Sequence, residues 1–261
     1  MFAVVIILFG AGCTGNTTTL KYILPVSATR NDVHITVDPR VELVSIVQYL
    51  SSYNELMTSA DFRYRYDVDV YFSEFREHRA VTMYEEMVPL GFKYSTPANF
   101  ALSLTDGLYL DEAVQLSYHV EWGGGGVNNL KDFAAALRDF SAESNFHDFY
   151  VAHEDYYRDN VYRVSSLLGD WDYVTELQDY YGMEYNSFNI IPVPLYGGGG
   201  GYGPHVQRKE EIDIYSILVA FDEDMQGEVP VYGNANVFKL LLRHEFSHSF
   251  VNRVTDMYLD E

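Results

Sequence analysis

The run from Phe238 to Val251 contains the pentapeptide His-Glu-Phe-Ser-His and neither proline nor glycine. This composition predicts a helix in which His244 and His248 lie one turn apart and project from the same face. Two imidazoles spaced in this way can bind one zinc ion. Glu245 would lie beside that face, where it can take a proton from a water polarised by the metal and pass it to a leaving amine.

The same helix also has an interpretation without a metal. Leu241, Phe246 and Phe250 are placed to bury its other faces against a core. Histidines in an apolar helix can be core residues with satisfied hydrogen bonds, and the motif needs its structural context to count as a metal site. We therefore expect a zinc centre and keep a buried helix as the alternative.

The third protein ligand of a catalytic zinc site is not evident next to the motif. The compact metzincin pattern requires Gly and His three and six residues after His248, and this chain has valine at both positions. Asp256 lies two turns beyond His248, about 12 Å along a continuous helix, and Asp260 and Glu261 would need a turn to reach the metal. In gluzincins the third ligand is a Glu on a later helix. We therefore expect a C-terminally truncated sequence that by itself binds zinc weakly and is inactive.

The amino-acid composition limits the class of partner. The chain has 261 residues, of which 48% are hydrophobic, and a formal net charge of −21. A core of substantial size is therefore possible in one large domain or two small ones. The negative charge argues against electrostatic binding of nucleic acid or anionic lipid, and we expect no nucleic-acid partner.

The N-terminus has the order of a lipoprotein signal. Met1 to Gly12 is apolar but too short to span a bilayer, which needs roughly 20 residues, and Cys13, the only cysteine, follows it. This order resembles a lipoprotein signal peptide, although the basic n-region is missing. We expect residues 1–19 to be signal and tether, with the protein exported and anchored outside the cytoplasmic membrane by lipid on Cys13. The alternative is a buried first strand with an ordinary core cysteine.

Periodicity divides the rest of the chain into helices and a few strands. Strand patterns fall at 33–37, 187–195 and 212–221, and helical patterns occupy most of the sequence between the first two. Asp38 and Pro39 predict a helix start. Two prolines in 187–195 predict a strand at the sheet edge. An extended peptide would then pair with residues 190–195.

Residues 196–204 predict a glycine-rich turn. It is either a flexible hairpin loop or a rim that lets a substrate backbone approach closely. Tyr202 and His205 beside it are candidates for donating hydrogen bonds to a tetrahedral oxyanion. The glycine runs lack the lysine and the strand-to-helix setting of a phosphate loop, so we exclude nucleotide binding.

Three segments together, residues 37–47, 200–204 and 244–252, resemble a family of domains of unknown function, DUF4932. The resemblance covers roughly Val33 to Asn252, and Asp-Pro-Arg-Val-Glu-Leu, residues 38–43, is its most specific part. It implies an exported protein similar to gluzincin metallopeptidases, with its third ligand downstream of the motif. The expected fold is α+β: residues 20–261 form one predominantly helical, zincin-like domain, incomplete at its C-terminus, with a small β-sheet next to the motif helix.

The favoured function is that of a zinc-dependent metallopeptidase at the cell surface, with Zn²⁺ as cofactor and a peptide or protein as substrate. One alternative is a non-catalytic lipoprotein binding module on the same scaffold, since a fold does not establish an activity. Another is a non-peptidase hydrolase with the same metal chemistry.

Overall fold

The computed structural model describes residues 22–198, 200–220, 225–226, 229–230 and 232–259, and their side chains except at 225, 226, 229 and 252–259. The expected lipidation residue, Cys13, lies outside the described residues, as do Asp260 and Glu261. Among the described residues, no helix is both long enough and apolar enough to cross a membrane.

A mixed sheet forms the centre of the fold. Its strands are β1 (Val26–Arg30), β2 (Val33–Val37), β3 (Val114–Gln115), β4 (Ser187–Val193), β5 (Gly200–Tyr202), β6 (His205–Arg208) and β7 (Glu211–Val219). The order is β1-β2-β4-β7-β6-β3, and β5 also pairs with β7. The β2–β4 and β4–β7 pairs are parallel and the other pairs are antiparallel. A separate two-stranded ribbon consists of β8 (Met225–Gln226) and β9 (Val229–Pro230).

Helices cover both faces of this sheet. They are α1 (Pro39–Leu50), α2 (Arg63–Phe72), α3 (Arg79–Met87), α4 (Ser95–Leu102), α5 (Tyr118–Gly123), α6 (Val127–Glu143), α7 (Phe146–Ala152), α8 (Glu154–Leu168), α9 (Tyr173–Tyr181) and α10 (Ala235–Leu259). Short 3₁₀ turns follow α2 and α3, at Ser73–Phe75 and Val88–Leu90. The mixed α and β composition expected from the sequence is confirmed, but the sheet is larger than expected, because four of its strands are short or irregular in pattern.

Side chains on the two faces of β7 lie near different helices. Ile214 pairs with Phe188 of β4, and the Phe188 ring lies 5.3 Å from that of Phe246 on α10. Tyr215 points to the opposite face, because successive side chains alternate along a strand. There it is close enough to Arg40 at the start of α1 for the two groups to influence each other's pKa. The sheet therefore lies between α10 and α1.

The start of α1 is as predicted. The Asp38 carboxylate accepts a hydrogen bond from the backbone N of Arg40 at 2.8 Å, and Pro39 occupies the first helical turn. The Arg40 guanidinium also pairs with Asp38 at 2.6 Å and donates to the backbone O of Leu104. Burial raises the pKa of Asp38, but the charge and hydrogen bonds of Arg40 outweigh burial and lower it. This part of the family motif therefore fixes α1 to the residues that follow α4.

The prediction that residues 187–195 form an edge strand is wrong. β4 lies between β2 and β7 and pairs with both. Its register with β2 ends at Ile190, opposite Ile35, whereas the register with β7 continues through Pro192 to Val193. Pro192 thus lies beyond the β2 ladder, where a missing N–H costs least. The expected peptide pairing at residues 190–195 loses its basis.

The segment 146–168 is not one continuous helix. It is two helices, α7 and α8, that meet at His153, whose backbone (φ −106°, ψ 10°) is not helical. The His153 Nδ1 lies 2.8 Å from the backbone O of Phe149 and its Nε2 lies 3.3 Å from Asp67. The contact with Asp67 joins this break to α2, which is distant in the sequence, so the periodicity of 146–168 alone does not reveal it.

Candidate metal centre

The helix α10 carries the candidate site. Asn234 caps its start, because the Asn234 side-chain oxygen accepts hydrogen bonds from the backbone N of Asn236 at 3.0 Å and of Val237 at 3.2 Å. The helix has a fully buried face, on which apolar residues recur every four positions; they are Phe238, Leu242, Phe246 and Phe250. This face packs against the sheet and α9, which leaves the opposite face of α10 exposed.

His244 and His248 lie on the exposed face of α10 with their rings converging. Their Nε2 atoms are 3.1 Å apart and the ring planes are inclined at 84°. A tetrahedral zinc ion with Zn–N bonds of about 2.0–2.1 Å holds two nitrogen ligands about 3.3 Å apart. The two imidazoles therefore already have close to the separation that a shared zinc ion requires. Burial and the neighbouring His244 lower the pKa of His248, which favours the neutral form that binds metals.

Glu245 lies between the helix and the sheet. Its side chain is only 4% exposed, and burial raises the pKa of its carboxyl to about 7. A carboxyl group with such a pKa exchanges its proton near neutral pH, which suits a general base. Glu245 thus differs from the two histidines, because they face solvent and it does not.

Two glycines of the predicted turn make room for Glu245. A Cβ atom on Gly201 would lie 2.9 Å from Cγ of Glu245, and one on Gly203 would overlap the backbone O of Glu245 and lie 3.1 Å from Cβ of His248. Contacts below 3.0 Å to backbone require the structure to shift. These positions must therefore lack a side chain if α10 is to approach the sheet this closely.

Part of the segment predicted as a turn is strand: residues 200–202 form β5, whereas residues 196–198 form an isolated bridge and a bend. β5 and β6 keep a common register on β7, with Tyr202 opposite Ile217 and His205 opposite Ile214. The sequence signal for a strand was weak because glycine disfavours β structure. β5 pairs on one side only, with β7, within the part of the chain that the structure describes. Among the described strands β5 is therefore an edge of the sheet, and it lies beside α10.

Tyr202 and His205 lie on different faces of this edge. Gly201 and Gly203 point towards α10, so alternation places Tyr202 on the opposite face, where its ring lies 6.0 Å from that of Tyr196. Burial, followed by the neighbouring Tyr94 hydroxyl and the Glu245 carboxylate, raises the pKa of Tyr202 to about 12. The same alternation places His205 on the α10 side. Their role as oxyanion donors stays a prediction.

The described side chains do not complete a three-ligand site. Among them, no cluster of three or more His, Cys, Asp or Glu residues is arranged to hold a metal ion. His205 is not part of such a cluster. The side chain of Asp256 lies outside the described part of the chain, together with Asp260 and Glu261.

Comparison with protein families identifies the domain. The model of a domain of unknown function, DUF4932, matches residues 33–261. The chain belongs to the DUF4932 family. The DUF4932 match includes the α1 motif, the β5 glycines and the motif helix α10, so the resemblance inferred from these segments is confirmed. Searches of curated proteins and of solved structures found no match.

In this DUF4932 domain, Trp171 and Glu176 at the start of α9 contact the N-terminal half of α10. The Trp171 ring lies 4.2 Å from the guanidinium of Arg243 and 5.2 Å from the ammonium of Lys239. Glu176 forms an ion pair with Arg243 and accepts a hydrogen bond from the Trp171 indole. Sequence reasoning missed this arrangement, although the i,i+4 spacing of Lys239 and Arg243 was a signal for a shared partner.

Proposed function

We propose that this domain is a zinc-dependent metallopeptidase of zincin-like, gluzincin type. His244 and His248 bind the metal through Nε2, and Glu245 is the general base. The observation that carries the proposal is the 3.1 Å separation of the two Nε2 atoms, with Glu245 buried next to them on the same helix. Imidazole nitrogens in this arrangement are typical zinc ligands.

The chemistry divides between the metal and the protein. Zinc, when bound, supplies Lewis acidity that makes a water more acidic and a carbonyl more electrophilic. Glu245 accepts the proton that the attacking water loses and then donates it to the nitrogen of the leaving amine, so its carboxyl returns to its starting state. The enclosure of Glu245 between α10 and the Gly201–Gly203 segment limits its contact with bulk water.

An extended peptide is the substrate that the neighbourhood of the site suits best. The outer edge of β5 has backbone groups available for strand pairing, because among the described strands only β7 pairs with it. Gly200 and Gly201 carry no side chains that would obstruct an approaching backbone. Peptide recognition by strand addition places the substrate backbone along such an edge. The open edge is thus at β5 and not at the strand predicted from sequence.

A catalytic zinc site needs one more protein ligand. We propose that a carboxylate from outside the described side chains supplies it, as expected from the sequence for a Glu on a following helix. We also propose that Cys13 is lipidated and that the protein is exported and held at the outer side of the cytoplasmic membrane. Residues 1–19 would then be signal and tether.

A second candidate function is a non-catalytic binding module at the cell surface. It is favoured by one observation, namely that among the described side chains no cluster of three or more His, Cys, Asp or Glu residues is arranged to hold a metal ion. Such a module would keep the peptide-binding edge without turning over its ligand.

Hydrolysis of a mixed peptide library, with zinc content measured in parallel, tests the proposal. We expect the full-length wild-type protein to cleave peptides. Glu245→Gln should lose about 10²-fold or more of that activity, as for other general bases, and retain its zinc. The exposed Glu210→Gln on the β6–β7 turn is the matched control. Stoichiometric zinc without cleavage by the wild type would favour the binding module. Absence of zinc binding would reject the assignment of His244 and His248 as metal ligands.

A further inference from the structure

A group of exposed aromatic and apolar side chains lies between the end of α3 and the end of α5. We call it the aromatic patch; its members and their exposed fractions are Leu90 (44%), Tyr94 (52%), Tyr118 (71%) and Trp122 (61%). The rings of Tyr118 and Trp122 stack with an interplanar angle of 14° and centroids 6.4 Å apart. Large apolar side chains that are grouped on a surface often mark a binding site.

Close backbone packing holds the two parts of the aromatic patch together. A Cβ atom on Gly123 would lie 3.1 Å from the backbone C of Gly91 and 3.2 Å from the backbone N of Phe92. The Trp122 ring is 3.6 Å from the position that a Cβ on Gly91 would take. The end of α5 therefore rests directly on the turn that leads to Tyr94.

Tyr94 is held in an unusual conformation. Its backbone has φ 58° and ψ −120°, immediately before the first residue of α4, and residues other than glycine rarely adopt such angles. The ammonium of Lys93 lies 5.4 Å from the Tyr94 ring. Backbone strain of this kind clusters at binding and active sites.

Buried contacts connect this turn to β5. Phe92 packs edge-on against Tyr84, with centroids 6.4 Å apart. Gln48 donates a hydrogen bond to the Tyr84 hydroxyl at 3.1 Å and accepts one from Tyr196 at 2.6 Å. Tyr196 packs against Tyr202 of β5, and α4 contacts β6, which continues β5. The Tyr94 hydroxyl is also one of the groups that raise the pKa of Tyr202.

We propose that the aromatic patch is a subsite that binds an aromatic or other large apolar side chain of a peptide whose backbone pairs with β5. The inference rests on the proposed function in its choice of ligand, because the open β5 edge recognises a peptide backbone. It adds the identity of the preferred side chain. Because the patch is apolar, the preferred side chain at this position is apolar. The net charge of −21 further disfavours acidic peptides, so the residues beside that side chain are neutral or basic in the preferred ligand.

Two labelled peptides test the subsite without any need for catalysis. They share a lysine-flanked Ala-Gly sequence and differ in one central residue, Phe or Ala. Their binding to the Glu245→Gln protein is measured by fluorescence anisotropy. We expect the Phe peptide to bind about 10-fold more tightly, as the burial of one aromatic side chain allows.

Substitutions in the aromatic patch should remove this preference. Tyr94→Ala combined with Trp122→Ala is expected to bring both peptides to the affinity of the Ala peptide. Tyr94→Gly, which suits the positive φ, should act in the same direction if Tyr94→Ala does not fold. Tyr162→Ala is the matched control, because Tyr162 is 73% exposed and lies on α8, which packs at the far β1 edge of the sheet.

The outcomes separate the subsite from the peptidase proposal. A Phe preference that is lost only in the patch variants supports the subsite, even if the wild type never cleaves a peptide. Equal affinity for both peptides, no binding of either, or a preference that survives the patch substitutions overturns it, even if the wild type is an active peptidase.

Discussion

Gly203 lies directly against the backbone of Glu245, so closely that a Cβ atom at position 203 would overlap the Glu245 carbonyl oxygen. Because helix backbone cannot yield as a flexible side chain can, Gly203→Ala should displace α10 from the sheet edge. We expect a loss of about 1–3 kcal/mol in the free energy of unfolding, which is typical of overpacking, and weaker zinc binding through His248.

Gly182→Ala is the control for Gly203→Ala. Gly182 ends α9 in a left-handed conformation (φ 64°) with no atom within 4 Å of an added Cβ. That variant should also lose stability, by about 1 kcal/mol, yet keep its zinc affinity. Denaturant unfolding measures the stability of both variants, and zinc titration measures their zinc affinity. Unchanged zinc affinity in Gly203→Ala would show that the glycine does not position the site.

His244→Ala and His248→Ala should each weaken zinc binding strongly. Removing one of two converging nitrogens removes a direct ligand, so we expect a loss larger than the roughly 10- to 100-fold that follows removal of an outer-shell partner. His147→Ala on α7 is the matched control and should bind zinc like the wild type. Titration with a competing chelator measures all three. Equal zinc affinity in the His244 variant and the His147 control would contradict the zinc centre.

Glu42 should make stability depend on pH. It is only 1% exposed, and Tyr64, whose hydroxyl lies 2.8 Å from that of Tyr157, donates a hydrogen bond to it. Burial raises the pKa of Glu42 from 4.5 to about 7, although the Tyr64 hydrogen bond opposes this. Between these values the folded protein keeps a proton that the unfolded chain has lost. This stabilisation is therefore complete below pH 4.5 and is lost as the pH rises through 7.

The expected size of the Glu42 effect is about 3 kcal/mol in the free energy of unfolding across that window, at about 1.4 kcal/mol per pH unit. Glu42→Gln should remove this component, whereas the exposed Glu86→Gln on α3 should leave it intact. Urea unfolding at pH 5, 6, 7 and 8 measures the difference between each variant and the wild type. A Glu42→Gln profile parallel to that of the wild type would mean that Glu42 is ionised throughout.

Trp171 should contribute to the stability of α10. Its half-buried ring contacts the cations of Lys239 and Arg243, so Trp171→Ala loses both apolar burial and cation–π attraction. We expect the free energy of unfolding to fall by about 1–3 kcal/mol. Trp122→Ala, at an exposed tryptophan, should change it by less than about 0.5 kcal/mol. Thermal unfolding of the two variants provides the comparison, and equal losses would contradict a specific role for Trp171.

Cys13 should determine where the protein is found. If Cys13 carries lipid, Cys13→Ala should move the protein from the membrane fraction to the soluble fraction, because a lipid chain supplies the membrane affinity. Thr14→Ala, in the polar tether, should leave the distribution unchanged. Cell fractionation with an antibody against the domain tests this. A wild-type protein found in the soluble cytoplasmic fraction would reject both the anchor and the export proposal.

Local sequence signals predicted the parts of the fold that depend on neighbouring residues. The start of α1 at Asp38 and Pro39 follows from side-chain capping and a preset φ angle. The position of β4 could not be predicted, because Pro192 favours an edge strand on local grounds. Whether a partner strand ends before reaching the proline depends on residues far away in the chain.

In the candidate site, too, some features follow from local sequence and others depend on residues distant in the chain. The sequence by itself determined the pairing of His244 with His248, because four residues make about one turn of any α-helix, and it determined Glu245 as their neighbour. Only the tertiary structure decided that Glu245 is buried against Gly201 and Gly203 while the histidines face solvent. The physical reason is range: helical spacing is a property of adjacent residues, whereas burial and an open sheet edge arise from contacts between segments distant in the chain.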